Sequence, residues 1–181
     1  MQSTHKAAGQ IMSRLTAFSM GLALLLGAAL NSVAMAAETM TVQLEGIADG
    51  DTIYVRAPQT QTSYRVRLAM IDAPENDQEY GVEATAALQH LLRGAGPLTL
   101  TISSTDRYGR LIAIVEDDRN RNINLAMVSQ GAAWVYTKYA KSGAYAGDYS
   151  LFANAERQAK MRQIGLWQNP EAVEPWRYRR K

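Results

Sequence analysis

The chain has no cysteine among its 181 residues, and only 2 His and 5 Pro. Without Cys there is no disulfide, no thiolate metal centre, no Cys nucleophile and no lipid-attached N-terminal cysteine. With one of the two histidines (His5) near the start and the other (His90) alone, a Cys/His zinc set is excluded too. Internal repeats and low-complexity stretches are missing. One long uncharged apolar run exists, Leu15 to Leu30, and it is short of the roughly 20 residues that a spanning helix needs. Lys6 and Arg14 precede it, and Ala34-Met35-Ala36 follows as a small-x-small cleavage pattern. Residues 1–36 therefore read as a signal peptide cut between Ala36 and Ala37, with an uncleaved membrane anchor as the alternative. The chain is expected in the periplasm or outside the cell.

What remains is an ordinary globular composition, 47% hydrophobic over the whole chain, which argues against disorder. About 145 residues follow the leader. Such a length buries roughly 68% of the unfolded chain's surface, enough for one core without disulfides. The formal charge of +2 includes two basic leader residues, so residues 37–181 are neutral. Their charge is unevenly spread: residues 37–118 sum to −7 and residues 119–181 to +7. One region favours cations and the other anions, or else the molecule has two differently solvated faces.

The first half alternates with period two. Thr41 to Leu44, Ile53 to Val55 and Tyr64 to Ile71 read as strands, separated by the Asp49-Gly50-Asp51 turn and a polar loop over 58–63. Pro74 stops the third strand. Val82 to Arg93 switches to helical spacing and stops at Gly94. Strands follow at Leu98–Ile102 and Leu111–Val115, then helices over about 122–133 and 149–163. Five strands with a helix after the third suit a small closed barrel of the oligonucleotide-binding type. Residues 37–170 form this domain. Residues 171–181 form a basic aromatic tail, read as a disordered solubilising extension, or alternatively as a grip on nucleic-acid backbone.

Carboxylates sit at strand ends, where a scaffold presents functional side chains. Asp49 and Asp51 flank Gly50, and Asp72 and Glu75 flank Ala73-Pro74. Oxygen-only ligands of this kind suit a hard cation such as Ca²⁺ or Mg²⁺. Taken singly, Asp-Gly and Asp-x-Pro are also common turns. Arg67 and Arg110 stand at comparable strand ends. A cation, a spare carboxylate and two guanidiniums suit phosphoryl transfer. Spacing alone favours the plainer reading, with Arg67 an ion-pair partner on a strand and Arg110 a turn residue.

The segments DGDTI, RVRLAMIDAPE, EYGVEA, DRYGRLIA, NLAMVSQGAAWVY and ERQAKMRQIGLW occur in this order between Asp49 and Trp167. Together they resemble the thermonuclease family of staphylococcal-nuclease-like domains. The resemblance implies an α+β, mainly β fold: a five-stranded Greek-key barrel of the oligonucleotide-binding class with three helices. It implies Ca²⁺-dependent hydrolysis of DNA and RNA, preferably single-stranded, leaving 3′-phosphate ends. It places calcium on Asp51, Asp72 and the backbone carbonyl of Ala73, with Asp49 shaping the site from behind. The family's best-known member has Thr at the position of Ala73. Glu75 falls on the general base, and Arg67 and Arg110 fall on the arginines that bind the scissile phosphate. Arg107 and Tyr108 fall near the bound nucleotide. Tyr136 or Tyr139, and Tyr139 for preference, stacks on a base; packing between helix and barrel is the alternative. No stable protein partner is implied, and a monomer is expected. The loop after Glu75 is shorter than in the best-known member. A non-catalytic nucleic-acid-binding module is the rival reading, but the carboxylates and arginines whose loss would mark it are all here.

Overall fold

A computed structural model describes residues 38–180. The proposed leader and Lys181 lie outside the described residues. β1 (Glu38–Asp49), β2 (Thr52–Ala57), β3 (Thr62–Leu68), β5 (Leu98–Thr105) and β6 (Leu111–Glu116) close a barrel in the order β1-β2-β3-β6-β5. All neighbours are antiparallel except β3 and β6, which run parallel with Arg67 opposite Ile112. This is the expected five-stranded closure, and it leaves no free barrel edge.

Alternation fills the barrel. Val42, Ile53, Val55, Val66, Leu98, Leu100, Ala113 and Val115 are fully buried. β1 pairs with β5 through Glu38–Val42 and with β2 through Gln43–Asp49. Its register slips at Leu44/Gly46 and again at Ile47/Asp49. Bulges of this kind bend a strand and re-aim its end, and here the re-aimed end is Asp49.

α1 (Gly81–Leu92) buries Ala84, Leu88, Leu91 and Leu92 against the barrel. α2 (Ile123–Ser129) starts at Asn122, whose side chain accepts the Leu125 N–H at 2.9 Å. It ends earlier than its apolar pattern suggested, because the chain turns at Gly131 with φ 65°. There the Gly131 carbonyl accepts the Leu166 N–H at 2.8 Å. A Cβ on Gly165 (φ 61°) would meet that same carbonyl oxygen at 2.3 Å, so only glycine fits the contact. α4 (Tyr149–Met161) carries the buried Phe152 and Ala159.

Two features depart from the expected order. The third strand does not run on to Ile71. β3 stops at Leu68, Met70 takes a left-handed φ of 68°, and β4 (Ile71–Asp72) pairs instead with β7 (Trp134–Val135). Ala69 and Met70 are both buried, so their hydrophobicity reads as strand although they form its break. A left-handed non-glycine residue costs on the order of 1–2 kcal/mol; the Tyr136 N–H donated to the Met70 carbonyl at 2.7 Å helps hold it there. The helix count also exceeds three, with the single-turn α3 (Thr137–Ala140) and α5 (Pro175–Tyr178) as additions. Between α4 and α5 lies a 3₁₀ turn, Gly165–Gln168.

Candidate active site

The Asp49–Asp51 turn and the β3 break lie side by side. The Leu68 N–H donates to the Asp51 carbonyl at 2.8 Å. Asp51 is 6% exposed and Asp72 is fully buried. One oxygen of Asp51 accepts the Ala73 N–H at 2.7 Å, which ties the first acidic turn to the second across 22 residues of sequence. Asp49 accepts the Asp51 N–H at 3.0 Å and so closes the turn.

Arg67 joins the two aspartates. Its guanidinium lies 3.0 Å from Asp51 and 2.6 Å from Asp72. It also donates to the carbonyls of Leu68 and Ile71, at 2.9 and 3.0 Å. Arg67 thus spans the β3 break that delivers Asp72. Burial pushes the Asp51 carboxyl up to about 7; Arg67 pulls it down, while Asp49 and Asp72 push it further up.

Glu75 lies three residues beyond Asp72, past Pro74. Its loop is backed by α1: a Cβ on Gly81 would stand 1.7 Å from the Glu75 carbonyl oxygen. Arg110 leads into β6, two residues before the partner of Arg67. Asp106 holds it, accepting the Arg110 N–H at 3.0 Å and its Nε–H at 2.8 Å. Tyr108 is 64% exposed between two guanidiniums, Arg107 at 4.9 Å and Arg110 at 5.6 Å from its ring centre. Tyr139 is 57% exposed and meets Tyr136 edge-on at 4.8 Å. Tyr136 itself is covered by Trp176, in parallel stacking at 5.1 Å. Of the two tyrosines, Tyr136 packs and Tyr139 is presented to solvent.

The tail is the main correction. It is not a disordered extension: α5 folds it over the 74–79 loop. Arg179 engages both oxygens of Asp72, at 3.2 and 2.7 Å, and donates to Glu75. The Tyr178 hydroxyl donates to the Asp77 carbonyl at 3.0 Å, and Gln78 donates to the Val173 carbonyl at 2.6 Å. Sequence reasoning credited the tail's aromatics and cations but could not place them. Asp106 and Asn124 were missed in the same way. Asn124, fully buried, bonds the Val115 N–H and the carbonyls of Ala69 and Ala113.

The donors suit a hard cation in type, being carboxylate and backbone oxygens. Among the described residues, no three acidic or His side chains gather closely enough to hold a metal by themselves. A set of two carboxylates completed by the Ala73 carbonyl and solvent fits that count.

A family model described as "Staphylococcal nuclease homologue" matches residues 65–169. The chain belongs to that family. The match runs from β3 to the 3₁₀ turn and takes in Arg67, Asp72, Glu75 and Arg110. Among similar proteins, "Protein ParB" of Escherichia coli is 37% identical over 171 residues, covering 88% of this chain and 92% of that protein. A "Micrococcal nuclease" of Shigella flexneri is 38% identical over 142 residues, covering 74% and 77%. An "Uncharacterized endonuclease" of Escherichia coli O157:H7 is 35% identical over 135 residues, covering 75% and 82%. With the staphylococcal nuclease family goes the enzyme class, a nuclease.

Proposed function

We propose that the chain is an exported, calcium-dependent nuclease that hydrolyses phosphodiester bonds of DNA and RNA and leaves 3′-phosphate ends. The observation that carries this reading is the buried Asp51–Arg67–Asp72 cluster with Glu75 at its rim, at the break between β3 and β4. Asp51, Asp72 and the Ala73 carbonyl would hold calcium, which when bound neutralises phosphate charge. Glu75 orients the attacking water and takes its proton. Arg67 and Arg110 donate to the phosphoryl oxygens as negative charge builds on them. The 5′-oxygen leaves. Arg107, Tyr108 and Tyr139 would meet the nucleic acid with a cation and exposed rings, chemistry that suits splayed single strands better than stacked duplex. Export is supported by the charged start, apolar run and Ala-x-Ala site of residues 1–36.

The test is hydrolysis of denatured DNA by the purified chain, with calcium or with chelator. Cleavage that needs calcium and is lost in Glu75→Gln supports the reading. A folded protein that binds DNA without cutting it would instead be a binding module.

A further inference from the structure

Arg179 lies outside the segment matched by the family model, yet it pairs with two carboxylates of the site, Asp72 at 2.7 Å and Glu75 at 2.5 Å. Its guanidinium faces Asp72 as a two-pronged fork and reaches Glu75 with the same nitrogen that contacts Asp72. Bidentate pairing of this kind is the strongest form of Arg–carboxylate contact. With Arg67 already on one side of Asp72, the Arg179 guanidinium covers the remaining face of that carboxylate and part of Glu75, and a second cation brought to the same oxygens would meet its positive charge at close range.

The segment bearing Arg179 is lightly attached. α5 is a single turn, and Pro175 is its only buried residue. Beneath the segment is a cavity of about 290 Å³ rather than packed core, lined among others by Pro74, Gln78, Trp134, Leu166 and Tyr178. Its anchors are the ring contacts of Trp176 with Tyr136 and Trp134, one exposed hydrogen bond from Tyr178 to the Asp77 carbonyl, and the Arg179 pairs themselves. Sparse apolar burial and solvent-exposed hydrogen bonds mark elements that open at low cost.

We propose that the 174–180 segment is an autoinhibitory strap, in which Arg179 occupies Asp72 and Glu75 as an intramolecular competitor of calcium. This rests on the calcium-nuclease reading. Calcium and Arg179 bind the same oxygens, so each excludes the other, and calcium binds only the fraction of molecules with the strap undocked. If the strap is docked nine-tenths of the time, calcium affinity is weakened about tenfold. The contact joins the acidic first half of the chain to its basic second half. A phosphodiester arriving with calcium offers Arg179 another anionic partner.

The test is calorimetric titration of calcium alone into the full chain and into Arg179→Gln and Arg177→Gln. Arg177 sits in the same turn and carries the same charge, but it pairs with Glu174. Arg179→Gln should bind calcium about tenfold more tightly, and Arg177→Gln should match the parent chain within about twofold. In the parent chain, saturating calcium should also shift the Trp176 indole N–H resonance, identified by its loss in Trp176→Phe. Equal affinities in all three proteins, equal tightening in both variants, or a Trp176 signal indifferent to bound calcium overturns the strap and leaves the calcium site standing. No calcium binding by any of them overturns the strap and the metal reading together.

Discussion

At the scale of single residues, Arg67 and Arg110 are expected to do similar chemistry but are held differently. Arg110 is gripped by Asp106 at a turn, beside the Tyr108 ring. Arg67 neutralises two buried carboxylates and ties two carbonyls across the β3 break. Each arginine that stabilises transition-state charge is worth roughly 10²- to 10³-fold in rate. Arg110→Ala should lose activity by about that factor with little change in melting temperature. Arg67→Ala should lose activity and also about 3–5 kcal/mol of stability, since it leaves buried charge uncompensated. Paired kinetic and urea-unfolding measurements check both; an Arg67→Ala protein as stable as the parent would contradict the bridging role. The identities of Arg67 and Arg110 were legible in the sequence from motif order. The second duty of Arg67 was not, because it depends on carbonyls exposed by a break that hydrophobicity conceals.

At the scale of elements, one turn design occurs twice. In Asp106–Arg110 and in Asp117–Arg121, an aspartate accepts two backbone N–H groups and the arginine four residues on folds back onto it. Gly109 (φ 78°) and Asn120 (φ 58°) take the same left-handed position in the two turns. Burial pushes the Asp117 carboxyl up, but the Arg121 and Arg119 N–H groups and the Arg121 side chain outweigh it and hold it below its ordinary 3.8. A carboxyl depressed in the folded state stabilises at neutral pH, and that contribution is lost as pH falls through the folded value. Asp117→Asn should therefore unfold at lower urea than the parent near pH 7, and the two midpoints should converge at about pH 2. Asn124 clamps α2 to β6 and to the end of the β3 break. Asn124→Ala strands a buried N–H and should cost about 2–3 kcal/mol, read from the same unfolding curves. Gly81→Ala would press on the Glu75 carbonyl. It should lower turnover more than stability, because the loop can shift while the barrel cannot. These elements were foreseen in kind and approximate extent; their caps and clamps were not, since a cap is recognised by its partner and the partner is distant in sequence.

At the scale of the molecule, the opposite charges of the two halves meet at the active site. Arg177, Arg179 and Arg180 are all exposed, but Arg179 is the one paired with Asp72 and Glu75. If these outer cations contact substrate backbone, each releases a counterion on binding. Arg177→Gln with Arg180→Gln should then reduce the slope of log K against log salt, for single-stranded DNA, by about 1.4. An unchanged slope would confine DNA contact to the barrel side.

The sequence by itself determined the barrel and the order of its elements, and it named the carboxylates and arginines proposed for the site. Period-two hydrophobicity specifies which faces turn inward, and motif order carries chemistry that tolerates little change. Only the tertiary structure decided that β3 breaks at Met70, that Arg67 bridges both aspartates, and that the last residues close over Glu75. Each of those contacts joins groups through space with no periodic signal along the chain. A segment of four cations and two aromatics within residues 176–181 reads as solvated until the carboxylates that bind it are in place.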